Sequence, residues 1–184
     1  MIIAGIVLAL AVVIVCWGIG VYNGLIRLRN MKDEGLSGID VQLKRRHDLV
    51  GNLVNTVKGY MAHEKSVLEE IAKMRAMAQN AAGVAQTAQA EGMLSQALGR
   101  LFAVMENYPQ LRANENVMHL QNTLTALEDD IQLARRYYNG TVRDYNTRIE
   151  VFPASIIARQ YAFQKAEFFE LDNAAEREVP QVAF

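Results

Sequence analysis

With 184 residues, 51% of them hydrophobic, and a net charge of −1 from interspersed signs, the chain has room for one modest domain plus an extra segment. That charge balance leaves no basic footprint for nucleic acid, and a single cysteine excludes an intrachain disulfide.

The apolar content is concentrated at the amino terminus. Met1 to Val21 carries no charged side chain, and 12 of its 21 residues are Leu, Ile or Val. At about −0.3 to −0.6 kcal/mol each, these favour membrane insertion by about 5 kcal/mol. Twenty-one helical residues cover about 31 Å, enough to cross a bilayer core. A cleaved signal peptide would want basic residues before the run and a small-residue cleavage site after it. Neither is present, and the run exits through Trp17, Tyr22, Arg27, Arg29 and Lys32. Val15, ahead of Cys16, argues against lipid attachment at that cysteine. The expectation is a retained single-pass anchor over 1–22 in the inner membrane. Basic residues on its C-terminal side alone place the amino terminus outside and the body in the cytoplasm. Cys16, Gly20 and Gly24 have the small-x-x-x-small spacing that lets two spans approach closely.

Beyond the span, three prolines in all and no sustained period-two alternation predict helix throughout. The first helix either continues out of the bilayer or restarts near Gly35 and Gly38, which weaken it, and runs over 23–59. Leu43, Val50, Leu53, Val57 and Tyr60 form its inner seam, and Gly59 supplies a stop signal. The position that completes this seam is occupied by Arg46. "HEKSVLEEIAKMRAMAQ" predicts a second helix with Val67, Ile71 and Met74 inward and Glu64 in its first turn, where the dipole favours an anion. "NAAGVAQTAQA" reads as a small-residue connection. A third helix follows, with Leu94, Leu98, Leu101, Met105 and Tyr108 on one stripe, ended by Pro109. The last helix, 114–151, keeps a nearly regular coiled-coil-like heptad stripe from Leu120 to Ile149 and repeats Tyr-Asn seven residues apart.

The expected fold is therefore all-α: a transmembrane helix, then an antiparallel up-down-up-down four-helix bundle over 23–165 with long first and last helices. The alternative is one continuous helix over 23–81 packed against 88–150. Either version sets Arg46 beside Glu128 and Asp40 beside Arg135 or Arg136. An inward arginine costs several kcal/mol unless paired, so ion pairs Arg46–Glu128 and Asp40–Arg135 are expected. Otherwise Arg46 snorkels outward and its stem covers the seam. Residues 152–170 return to the membrane-proximal end, where they either cap the bundle or lie in the headgroup region. The tail, 166–184, reads as extended.

"YNGLIRLRN", "IDVQLKRRHDLVGNLVNTVKGYMAHE", "ENYPQL", "RRYYNGTVRDYN" and "FPASIIA…FF" together resemble the LemA family over nearly the whole chain. Arg45, Arg46, Asp48, Asn52, Leu53, Gly59, Tyr60, His63 and Glu64 stand on that family's first-helix motif, and Tyr138, Asn139, Tyr145, Asn146, Phe152 and Pro153 on its later one. Gly51 departs from the pattern, where a proline is usual, and so does Gly38, where an aromatic is common. The resemblance implies a membrane-anchored helical bundle in bacteria and no particular reaction.

His47, His63 and His119 fall on different helices or helix ends, and no zinc helix, phosphate loop or nucleophile elbow is present. The expectation is no metal, no cofactor and no catalytic residue. The favoured function is a non-enzymatic scaffold or adaptor, self-assembled at the inner membrane and binding the bilayer and an unidentified membrane or cytoplasmic protein. Alternatives are a membrane-shaping coat, a signal-transmitting regulator, or an enzyme with a polar site at Asp40, Arg46, Tyr138 and Tyr145.

Overall fold

The structure, a computed structural model, describes residues 1–61 and 63–170. Six helices account for most of them: α1 (Ile2–Val57), α2 (Lys65–Gln79), α3 (Val84–Met105), α4 (Pro109–Arg112), α5 (Glu115–Glu150) and α6 (Ala154–Gln160). No strand occurs among the described residues. Of the expected tail, 166–170 is neither helix nor strand and 171–184 lies outside the described residues.

By packing, the chain divides into two units. The first is Met1–Ile39 with Leu133–Glu167, and the second is Asp40–Gln132 with 168–170. Both α1 and α5 contribute to each.

In the first unit α1 and α5 run antiparallel. Val21 and Leu25 are buried with Tyr145 and Ile149, and Ala154 and Ala158 of α6 complete the cluster. Further along α1, a Cβ added at Gly35 would lie 3.3 Å from Tyr138 Cα and 3.4 Å from the Tyr137 ring. The helix therefore passes through Gly35 and Gly38 without restarting. At Gly35 the loss of helix propensity, about 1 kcal/mol, accompanies a close approach that a side chain would prevent. A Gly35→Leu substitution is expected to cost about 1–3 kcal/mol through overpacking, read as a lowered denaturation midpoint of the full chain in detergent.

In the second unit, Val50, Leu53 and Val57 of α1 meet Ile71 of α2, Leu94 and Leu101 of α3, and Leu124 of α5. Four expectations are corrected here. The helix ends at Val57, not 59, so Tyr60 leaves the seam and is 46% exposed while Met61 is fully buried in its place. Residues 58–61, 63 and 64 lie in no helix, which also excludes a continuous 23–81 helix. Glu64 is not in the first turn of α2 but precedes it, and its side chain accepts a hydrogen bond from the Tyr108 hydroxyl at 3.3 Å.

The fourth correction is the largest. "VAQTAQA" is the first part of α3, not a connection, and the turn before it is confined to 80–83. Alanine is the best helix former, and Ala88 and Ala90 are buried. Gly83 takes φ of +81°, which suits a residue without a Cβ, just ahead of the helix. At the start of α5, Asn114 Oδ1 accepts the amide hydrogens of Asn116 (3.0 Å) and Val117 (3.3 Å), as an N-capping side chain does.

Candidate functional site

Two polar arrangements stand out, one in each unit. The first crosses the core of the second unit. Arg46 is 3% exposed, and its guanidinium donates to Glu91 Oε2 at 3.0 Å through Nη1 and to Ser95 Oγ at 2.7 Å through Nη2. Nη2 also lies 3.2 Å from Glu128 Oε2. Glu91 is wholly buried, and its second oxygen lies 2.6 Å from His47 Nε2. With the carboxylate ionised, that ring nitrogen carries the proton of the contact. Arg46 thus has two carboxylates near it: Glu91, buried, and Glu128, whose side chain is 36% exposed. Removing charges from water costs several kcal/mol per ion, and here the cost is offset by pairing every charged group with its opposite or a hydrogen bond.

The sequence reading did not anticipate Glu91 or an inward His47. His47 is buried in this layer rather than solvated. The signal for Glu91 was present: the 3–4 stripe of Leu94, Leu98 and Leu101, run backwards by three, lands on it. A cavity of about 400 Å³ adjoins His47 and Glu91 and is also lined by Asp40, Lys44 and Thr87. A second, of about 350 Å³, adjoins Arg46, Ser95 and Glu128.

Gly51 belongs to the same region. A Cβ there would sit 3.1 Å from the Arg75 guanidinium carbon, and Arg75 Nε donates to the His47 carbonyl at 2.7 Å. That carbonyl is the i−4 acceptor of residue 51, the one a proline at 51 would leave without its helical donor. Arg75 already supplies a second donor to that carbonyl.

The second arrangement lies in the first unit. After α6 the chain runs back along α5 as a strap over 163–167. Tyr145 donates its hydroxyl to the Gln164 carbonyl and Tyr138 to the Glu167 carbonyl, both at 2.9 Å. Asn146 grips the Ala166 backbone with both ends of its amide, each bond 2.9 Å. Lys165 pairs with Glu150. Burial raises the Tyr138 phenol above its usual range, with the Glu167 charge adding to the effect, and burial also raises Tyr145. Both hydroxyls therefore remain protonated donors. The Tyr-Asn repeat is a clamp on this strap.

Asp40 falls in the second unit and Arg135, which is buried, in the first. Asp40 is exposed, yet partial desolvation by its neighbours raises its carboxyl above the usual value. A raised folded pKa means the native state disfavours the charge, a penalty absent below the unfolded value and present once pH exceeds the folded one. Asp40→Asn is therefore expected to raise the denaturation midpoint at pH 7 and leave it unchanged near pH 3. A lowered midpoint at pH 7 would instead mark Asp40 as a charge partner.

Arg45, Asp48, Asn52, Gly59 and His63 are exposed. Tyr60 lies 3.5 Å from the Asn114 side-chain amide, a marginal contact. Asn139 is half-buried, Phe152 is 81% exposed, and Pro153 precedes α6. Cys16 and Gly20 are exposed, and nothing would meet a Cβ at Gly20 or Gly24. Of the four residues considered for a polar catalytic site, Arg46, Tyr138 and Tyr145 spend their polar atoms on the contacts above. Among the described residues no three His, Cys, Asp or Glu side chains gather as metal ligands.

Residues 35–184 match the model of the LemA family. The chain is 26% identical over 181 residues to Magnetosome protein MamQ 2 of Paramagnetospirillum magneticum, covering 84% of this chain and 66% of that protein. It is 25% identical over 190 residues to Magnetosome protein MamQ of Magnetospirillum gryphiswaldense, covering 88% and 70%. It is 25% identical over 154 residues to Protein LemA of Metamycoplasma hominis, covering 83% and 70%. The chain thus spans 66% of the length of the first of these relatives.

Proposed function

The chain belongs to the LemA family, and from that premise we propose that it is a non-enzymatic scaffold or adaptor, anchored by its first helix in the inner membrane and self-assembled there. The observation that carries this reading is the state of Met1 to Val15. Its large apolar residues are exposed, the 18-residue window of highest hydropathy in α1 is 0% buried, and no charge interrupts it. Such a surface demands lipid or another span.

In this reading the second unit is an antiparallel four-helix bundle in the cytoplasm, with the Arg46–Glu91–His47 layer fixing its register. Self-assembly uses α5, where Leu133 and Tyr137, one turn apart, are 57% and 51% exposed, and the open stripe at Cys16, Gly20 and Gly24 brings spans together. The expected result is a detergent-solubilised mass above one chain that falls toward the monomer on Leu133→Glu. A single-chain mass at every concentration, with no co-purifying protein, would overturn the scaffold reading. The kinship with proteins named for the magnetosome supports a second reading, a membrane-shaping coat. Deformation of liposomes by the purified chain separates the two.

A further inference from the structure

α6 and its flanks present two faces. Ala154 and Ala158 are buried against Val21, Leu25, Tyr145 and Ile149. Phe152, Ile156 and Tyr161 are 81%, 55% and 60% exposed. Two contacts fix the level of this element along α1. A Cβ at Gly18 would lie 3.8 Å from Ile157 Cδ1, and the Tyr161 ring centroid lies 4.7 Å from that of Tyr22. Gly18 is inside the uncharged run and nine residues ahead of Arg27, the first charged side chain. At 1.5 Å per residue this is about 13 Å deeper along the helix axis. A bilayer that takes in the apolar run up to Val21 therefore reaches α6 as well.

We propose that α6, with Phe152 and Tyr161 at its ends, is a second membrane contact: an interfacial element at the boundary of headgroups and acyl chains, in the same bilayer that the span crosses. Ile156 and Phe152 enter the acyl region, and exposed Arg159 reaches the lipid phosphates. Trp17, Tyr22 and Tyr161 form the aromatic belt expected at that depth. The strap is tied to the same level, since Phe163 packs edge-on to Tyr22 at 5.9 Å and under the Arg29 guanidinium at 5.7 Å. Lipid is the occupant because Ile157 meets Gly18 within the uncharged run of α1, so the exposed Phe152 and Ile156 lie beside the level of the exposed Val15 and Ile19.

The inference rests on the reading that α1 crosses a bilayer, and the experiment separates the two. In a Cys16→Ser chain, single cysteines replace Val12 or Ile156, are labelled with an environment-sensitive nitrobenzoxadiazole dye, and are studied in nanodiscs holding one chain each. Spin-labelled lipid is expected to quench both labels, and iodide to quench them several-fold less than a label at exposed Asp129. Lipid quenching at 12 with iodide quenching at 156 would overturn the proposal and leave the span intact. Shielding at 156 that requires two chains per disc would assign the face to a second copy and overturn it too. Loss of lipid quenching at both positions would overturn the span reading together with this one.

Discussion

Replacing Arg46 by methionine is expected to cost about 3–5 kcal/mol, because it leaves a wholly buried carboxylate, Glu91, with only His47 opposite it. Replacing Glu128 by alanine should cost about 1 kcal/mol or less, since its side chain is 36% exposed and water can screen or replace the contact. Both are read by denaturant titration of the full chain followed by circular dichroism. The double variant Arg46→Met, Glu91→Leu should regain much of the loss, as apolar groups of similar volume fill the layer without desolvated charge. Equal costs for the Arg46 and Glu128 variants would show that the half-exposed acid, not the buried one, is the arginine's principal partner.

The strap offers the second large effect. Asn146→Leu removes both partners of the Ala166 backbone and is expected to cost about 1–3 kcal/mol. Tyr145→Phe deletes one hydroxyl that reaches a single carbonyl and should cost about 1 kcal/mol. The more specific reading is local. Hydrogen exchange at the Ala166 amide and protease cleavage within 163–167 should accelerate in Asn146→Leu, while the Ile71–Leu101 core keeps its protection. Unchanged exchange at Ala166 would remove the clamp from the account.

Helix type and the apolar seams were legible because burial imposes a period the sequence cannot hide: Leu43, Val50, Leu53 and Val57 are all buried, as are Leu94, Leu98, Leu101 and Met105. The start of α3 was not legible, because alanine, threonine and glutamine carry no face of their own and read equally as linker. Missing those residues hid Glu91, and hiding Glu91 left Arg46 with an incomplete set of neighbours. A lone cation breaking one seam is a reason to search every other seam for an anion doing the same. The Tyr-Asn repeat was visible as a pattern, but its acceptors are backbone carbonyls and amides, which have no signature in side-chain chemistry. Tyr60 failed for a simpler reason: the 3–4 spacing holds only while the helix lasts, and α1 stops at Val57.

The first unit is made of two stretches, Met1–Ile39 and Leu133–Glu167, separated by the whole of Asp40–Gln132. During synthesis the apolar segment is made well before its partners, and Val21 and Leu25 find Tyr145 and Ala158 only once the chain beyond residue 132 has been translated. Until then the nascent chain carries an uncovered greasy stripe. A prematurely terminated product lacking residues beyond 132 would keep that stripe exposed for good, and would be a substrate for quality-control proteases rather than a shorter working protein.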